Sequence, residues 1–277
     1  MTIKTLAVIL FDSAEADWLL SKTADLASAL GAHVIGLHSY SPVVFFDGMN
    51  AAPIVFATLQ DWEEQESDKI RATFDEVMRR NDLRAEFRRQ EVLYGGEEFL
   101  LAAARGADLV IMGTNGTGRR SPDDQGLAER LIRNLGRPVL VFSPEAKVPA
   151  TFTSLTIGWS ETREATRAAH DALALAADGA RVELVSLVAK PEDDLPGFDS
   201  RDDFAAALDR RGFAVTTTNR TATRDDRGEE LLQAAADSGA DLLVAGAFGH
   251  SLIYDFVIGA VTRHLLRHAT LPVLFSR

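Results

Sequence analysis

Residues 246–276 read GAFGHSLIYDFVIGAVTRHLLRHATLPVLFS, and residues 113–143 read GTNGTGRRSPDDQGLAERLIRNLGRPVLVFS. Each stretch carries three glycines in the same spacing: Gly246, Gly249 and Gly259 in one, Gly113, Gly116 and Gly126 in the other. Each follows a short apolar run and leads into a helical pattern that ends in a second apolar run. The order is strand, glycine-rich turn, helix, strand. Its occurrence twice makes the chain a repeat, and the repeat decides the fold.

The copying extends well beyond the glycines. GADLVIMG (Gly106–Gly113) matches GADLLVAG (Gly239–Gly246), and each follows an alanine-rich helical pattern. RPVLVFS closes one half and LPVLFSR the other, while LASALGAHVIGLHS parallels LALAADGARVELVS. The segment AKVPATFTS, with Pro144 and Pro149 around it, reads as a linker between halves at 1–145 and 152–277. Strands are expected near 5–11, 33–39, 84–93, 108–113 and 138–142, then 154–159, 181–188, 213–219, 241–246 and 272–276. Helices are expected near 14–30, 58–80, 97–105 and 127–135, then 163–177, 201–211, 229–238 and 260–268. DLVIM and DLLVA do not alternate apolar with polar, as expected of parallel strands covered on both faces. Strand–helix alternation of this kind predicts an α/β fold of two tandem doubly wound domains, with helices on both faces of each sheet.

A chain of 277 residues with 46% hydrophobic and 25% charged residues has the composition of a globular protein of about two domains. Its net charge of −12 argues against nucleic acid and anionic membranes as partners, since both require a basic face. There is no cysteine, and hence neither a disulfide nor a thiolate site. The run Leu6–Phe11 is short for a signal sequence and ends at Asp12, so it reads as a strand, and a cytoplasmic protein is expected.

Glycines at the carboxyl end of a parallel strand leave room for a ligand to meet backbone N–H groups, and a helix start beyond them favours an anion. The set G-x-x-G-(nine)-G after D-L-[LV]-[VI]-x-G, followed by a helix and P-V-L, resembles the universal stress protein family over nearly the whole chain, in a tandem two-domain form. That resemblance implies a five-stranded parallel sheet of order 3-2-1-4-5 in each half, a role in stress regulation, and in many members ATP held by this loop. The implied nucleotide residues in the C-terminal half are Gly246, Gly249, His250, Ser251, Gly259, Ala260 and Thr262, with Trp159 and Ser160 at the end of its first strand. In the N-terminal half they are Asp12, Gly113, Gly116 and Gly126. The family pattern usually places Ser or Thr after the third glycine and Asp at the end of the first strand. Here Ala260 and Leu127 follow the third glycines, and only the N-terminal half keeps the acid, as Asp12. One lost hydroxyl–phosphate bond weakens binding by about 0.5–1.5 kcal/mol, whereas a leucine also blocks approach. The C-terminal half is therefore the expected ATP or ADP site, with Mg only as the companion of a nucleotide. The resemblance also implies a homodimer or an intramolecular pseudo-dimer through Val139–Phe142 and Val273–Ser276.

His264 and His268 have a metal-compatible spacing, but their counterparts are Leu131 and Leu135, so packing or helix capping is the expected role and no metal site is assigned. Arg119 and Arg120 suit either an anion or solvent. No catalytic residues are assigned, because no nucleophile elbow, P-loop or metalloprotease motif occurs. Residues 41–60 form an apolar connection found only in the first half, read as a pocket cover or subunit contact. Two alternatives stand beside the nucleotide-binding regulator: an interaction protein with decayed sites that works through 41–60, and a slow adenine-nucleotide hydrolase.

Overall fold

The computed structural model describes residues 2–40, 53–91, 96–114, 122–189, 200–223, 225–248 and 259–277. Two compact units are formed, one from Ile3–Gly113 and Arg119–Leu135, the other chiefly from Gly136–Arg277. The first contains β1 (Thr5–Ile9), α1 (Ser13–Leu30), β2 (His33–Tyr40), α2 (Pro53–Arg80), β3 (Ala85–Glu91), α3 (Glu97–Ala104), β4 (Leu109–Gly113) and α4 (Pro122–Asn134). The second contains β5 (Val139–Phe142), β6 (Phe152–Trp159), α5 (Arg163–Ala172), β7 (Ala176–Val188), α6 (Ser200–Asp209), β8 (Ala214–Thr221), α7 (Arg227–Ser238), β9 (Leu242–Gly246), α8 (Ala260–His268) and β10 (Val273–Ser276).

In the first unit the strands run β3-β2-β1-β4, all parallel. In the second they run β5-β10-β9-β6-β7-β8, and the last five repeat the order 3-2-1-4-5 in parallel. β5 and β10 are the fifth strands of the two halves. They pair antiparallel, Leu140 with Leu274 and Val139 with Phe275, so each covers the other's edge. The fold class is α/β with doubly wound parallel sheets, as the repeat implies.

Burial follows position in the sheet. All five residues of β4 are buried, as are all four of β5 and of β10. The outer strands β3 and β8 alternate instead, because only one of their faces meets the core. Three boundaries differ from the sequence expectation. α2 begins at Pro53, so part of the apolar connection at 41–60 is helix, its proline suiting a helix start. The rest of that connection, residues 41–52, lies outside the described residues. α5 stops at Ala172 and β7 begins at Ala176, so the alanine-rich run that reads as helix to 177 enters a strand whose register shifts near Ser154. α4 begins at Pro122, five residues before the expected start.

The repeated G-A-D-L has a structural purpose. The Asp241 carboxylate accepts bonds from the Thr153 amide (2.8 Å), the Thr153 hydroxyl (2.9 Å) and the Ser154 amide (3.0 Å). Asp108 does the same for the amides of Lys4 (2.8 Å) and Thr5 (3.0 Å). In each half one aspartate satisfies the free amides at the amino end of the first strand and sets its register against the fourth. Asp241→Ala is expected to lower stability by about 2 kcal/mol, the scale of lost bonds to a charged acceptor, measured by urea unfolding.

His38 supplies a second test. It is 4% exposed at the end of β2, with Nδ1 2.8 Å from the Leu10 carbonyl and its ring stacked on Tyr40. Burial lowers its pKa from the ordinary 6.5, against the opposing pull of the Leu10 carbonyl and Glu66. The unfolded chain therefore takes up this proton first, and stability falls as pH drops below 6.5. The thermal midpoint should fall between about pH 7.5 and about pH 5.5, and His38→Asn should show a shallower fall. Equal slopes would exclude His38 as the source.

Candidate functional site

In the second unit the strand order reverses between β6 and β9, where ligands enter open α/β sheets. Gly246 ends β9. Its neighbour in β10 is Ser276, and the Ala247 amide donates to the Ser276 carbonyl at 2.9 Å. On the other side Gly158 of β6 pairs with Ala245. A Cβ on Gly246 would lie 2.6 Å from the Ala165 nitrogen and 2.7 Å from the Glu164 carbonyl carbon. The glycine is thus required by packing: the backbone of the first turn of α5 rests on the end of β9. Ligand access, the reason suggested by the sequence, is a separate matter from this contact.

The chain beyond Gly246 turns at Phe248, whose φ of +60° is unusual for a non-glycine residue and marks local strain. It returns at Gly259, where a Cβ would lie 3.7 Å from Phe248 Cδ1 and 3.4 Å from Thr262 Oγ1. The two ends of the glycine loop are therefore adjacent. Gly259 is the N-cap of α8 and makes no side-chain cap bond. Ala260 is exposed and Thr262 buried. Gly249, His250 and Ser251 lie outside the described residues.

Trp159 and Ser160 stand at the end of β6, the strand beside β9. The Trp159 indole is 6% exposed and stacks on Phe204 of α6, with centroids 4.9 Å apart and planes 18° from parallel. Its Nε1 donates to Glu161 (3.3 Å), which also accepts the Ser200 hydroxyl at 2.7 Å. Trp159 thus holds α6 against the sheet. The Ser160 hydroxyl is 3.1 Å from that of Thr162, which caps α5 by accepting from the Ala165 amide. Burial raises the Glu164 pKa, and Arg163, the helix amide and Arg277 outweigh this and hold the carboxyl below its ordinary value.

The first unit is different at the matching end. Gly113 ends β4, but Gly126 lies inside α4 rather than at its start. Pro122 fixes the first helical dihedral, and Asp123 and Asp124 occupy the first turn, where the helix dipole favours them. Among the described residues, a Cβ on Gly126 would meet the Arg130 side chain, at 3.1 Å. The third glycine thus opens a helix in the second unit and not in the first. Asp12 is the N-cap of α1, its carboxylate accepting from the Glu15 amide at 2.7 Å, while Glu15 accepts from the Phe11 amide at 2.7 Å. Glu66 accepts from the Ser13 amide at 3.0 Å. Burial pushes the Glu63 carboxyl up, and Asp124 and Glu66 push it further. This end of the first unit is crowded with carboxylates. Gly116, Arg119 and Arg120 lie outside the described residues.

His264 Nε2 is 3.1 Å from Glu229 Oε2, and its ring lies 4.6 Å from that of His268. Among the described residues, no group of three or more His, Asp or Glu side chains is arranged to hold a metal ion. None of their helices is long and apolar enough to cross a membrane. Sequence reasoning passed over Phe204, Glu161 and Arg227. Of these, Arg227 had a signal, since GGEEFL in the first half aligns with RGEELL in the second and only its first residue changes class.

Comparison with known proteins places these features. The model of the universal stress protein family matches residues 152–277. A universal stress protein of Synechocystis is 26% identical over 175 residues, covering 61% of this chain and 58% of its own length. Among solved structures, a universal stress protein from Archaeoglobus fulgidus aligns over 98% of this chain and 96% of its own, with a TM-score of 0.67 and 12% identity. A functionally unknown protein from Pseudomonas aeruginosa aligns over 99% of this chain and 92% of its own, with a TM-score of 0.58 and 16% identity. The likeness to these structures is one of fold, and the match to the family model lies in the second half. Residues 152–277 thus match the universal stress protein family.

Proposed function

We propose that the protein is a stress-response regulator that binds an adenine nucleotide, ATP or ADP, at the glycine loop of its C-terminal half, and that it acts through binding rather than turnover. The observation that carries this reading is the start of α8. Gly259 opens the helix beside Phe248, two residues past the end of β9, and among the described residues no side chain caps it. The first amides of a helix lack intrahelical partners and carry partial positive charge, which matches a phosphate. Gly246, Gly249, His250, Ser251, Gly259, Ala260 and Thr262 are the proposed contacts, with Trp159 and Ser160 at the neighbouring strand end. Magnesium would accompany the nucleotide rather than occupy a site of its own.

The first half is the weaker candidate on electrostatic grounds. Asp123 and Asp124 occupy the first turn of α4, and Glu63, Glu66 and Asp124 already repel one another there. A polyphosphate would add charge of the same sign. The paired edges of β5 and β10 favour the intramolecular pseudo-dimer over a homodimer through those strands, because neither edge is left for a second copy.

Denaturing freshly purified protein and identifying released small molecules by mass spectrometry tests the proposal. ATP or ADP at about one per chain is expected, with Gly259→Val abolishing it and Gly126→Val leaving it. Gly259 is the position to change, because a side chain at Gly246 would collide with the α5 backbone and report folding instead. At about a hundredfold excess over Kd, added ATP should stabilise the unliganded protein by roughly 2.7 kcal/mol. No released nucleotide and no thermal shift with ATP would reject the reading and favour a protein-interaction role.

A further inference from the structure

We infer that Arg227, the first residue of α7, is the side chain that binds the nucleotide's phosphates, an inference that rests on the site proposed above. α7 leads from the carboxyl end of β8 to the amino end of β9, so its first residue lies at the carboxyl edge of the sheet. Two close contacts fix where along that edge. Leu231 packs over Gly158, with Cδ atoms 3.2 and 3.3 Å from the place a Cβ would take. Arg227 precedes Leu231 by four residues and shares its face, one turn or about 5.4 Å nearer the edge. Gly158 pairs with Ala245, so the edge reached is that of Trp159, Ser160 and Gly246. The adjoining residue, Gly228, meets α8 directly, since a Cβ there would lie 2.6 Å from His264 Cβ. Arg227 therefore starts its helix between the ends of β6 and β9 and the first turns of α8.

One nitrogen of its guanidinium suits this position. Nε is buried and makes no hydrogen bond among the described residues. A buried donor left unpaired is costly, and a phosphate oxygen would satisfy it. Three neighbouring acids are engaged elsewhere: Glu229 with His264 at 3.1 Å, Glu230 with Arg220 at 3.0 Å, and Asp226 with the Thr223 hydroxyl at 2.5 Å. Arginine offers a planar fork of donors that matches phosphate geometry. It replaces with a charged contact what Ala260 lacks as a hydroxyl. The first half has Gly95 at the matching place in GGEEFL, so only the second half carries this cation.

The test is calorimetric titration of the full chain, freed of nucleotide, with adenosine, ADP and ATP. Arg227→Met keeps the apolar stem and removes the charge. Its ATP affinity should fall roughly ten- to a hundredfold, the scale of charged hydrogen bonds, with adenosine affinity unchanged. Arg227→Lys keeps the charge without the fork and should show a smaller loss, still confined to ADP and ATP. If the methionine variant does not fold, the lysine variant is read in its place. Unchanged ATP affinity, or equal losses for adenosine and ATP, overturns the role of Arg227 while the site stands. Absence of ADP and ATP binding in the unsubstituted protein overturns both.

Discussion

The carboxyl edge of the second unit depends on the backbone of α5 resting on Gly246. The contact is so close that any side chain at 246 would enter the Glu164–Ala165 peptide. It fixes the first turn of α5 on one face of the sheet. On the other face α7 meets the sheet where Leu231 covers Gly158, and meets α8 where His264 covers Gly228. Interiors pack at crystal-like density, so contacts of this kind leave little play. Thr162, as the N-cap of α5, completes the arrangement by satisfying the Ala165 amide.

The two halves keep the same strand order and the same aspartate at the amino end of the first strand, yet differ where a ligand would be met. The difference is one of helix starts. In α4 a proline and two aspartates occupy the first turn, whereas α8 begins at a glycine with no side-chain cap bond among the described residues. A helix end completed by its own acids has little left to offer an anion. The two copies share their sheets and differ in local capping chemistry.

Much of this was legible in the sequence, for identifiable reasons. The doubled GADL and PVL runs indicate the parallel sheet, because strands buried on both faces lose their polar alternation, while the strand order follows from the family resemblance. The glycine spacing misled at Gly126: the spacing is preserved, but Pro122 moves the helix start ahead of it. Likewise the alanine run 173–177 satisfies helical propensity while the structure uses Ala176 and Ala177 in β7, since tertiary pairing outweighs propensity. The strain at Phe248 and the placement of Arg227 depend on contacts between distant elements. Periodicity within one element does not encode them. Trp159 was legible as a strand-end residue, but its stacking on Phe204 was not.

A chain of net charge −12 holding a polyanion needs a local source of attraction. At physiological ionic strength the field of distant carboxylates is screened beyond about 8 Å, so the overall charge counts for less than the few groups around the ligand. In the proposed site those groups are the amides that open α8 and the guanidinium of Arg227, both partly withdrawn from water, where electrostatic attraction is stronger. The corresponding end of the first unit has Glu63, Glu66 and Asp124 instead, close enough to raise the Glu63 pKa. The same overall charge is thus compatible with an anion site in one half and opposes it in the other. The deciding quantity is the sign of the groups at one sheet edge, set by Pro122, Asp123 and Asp124 in one copy and by Gly259 and Arg227 in the other.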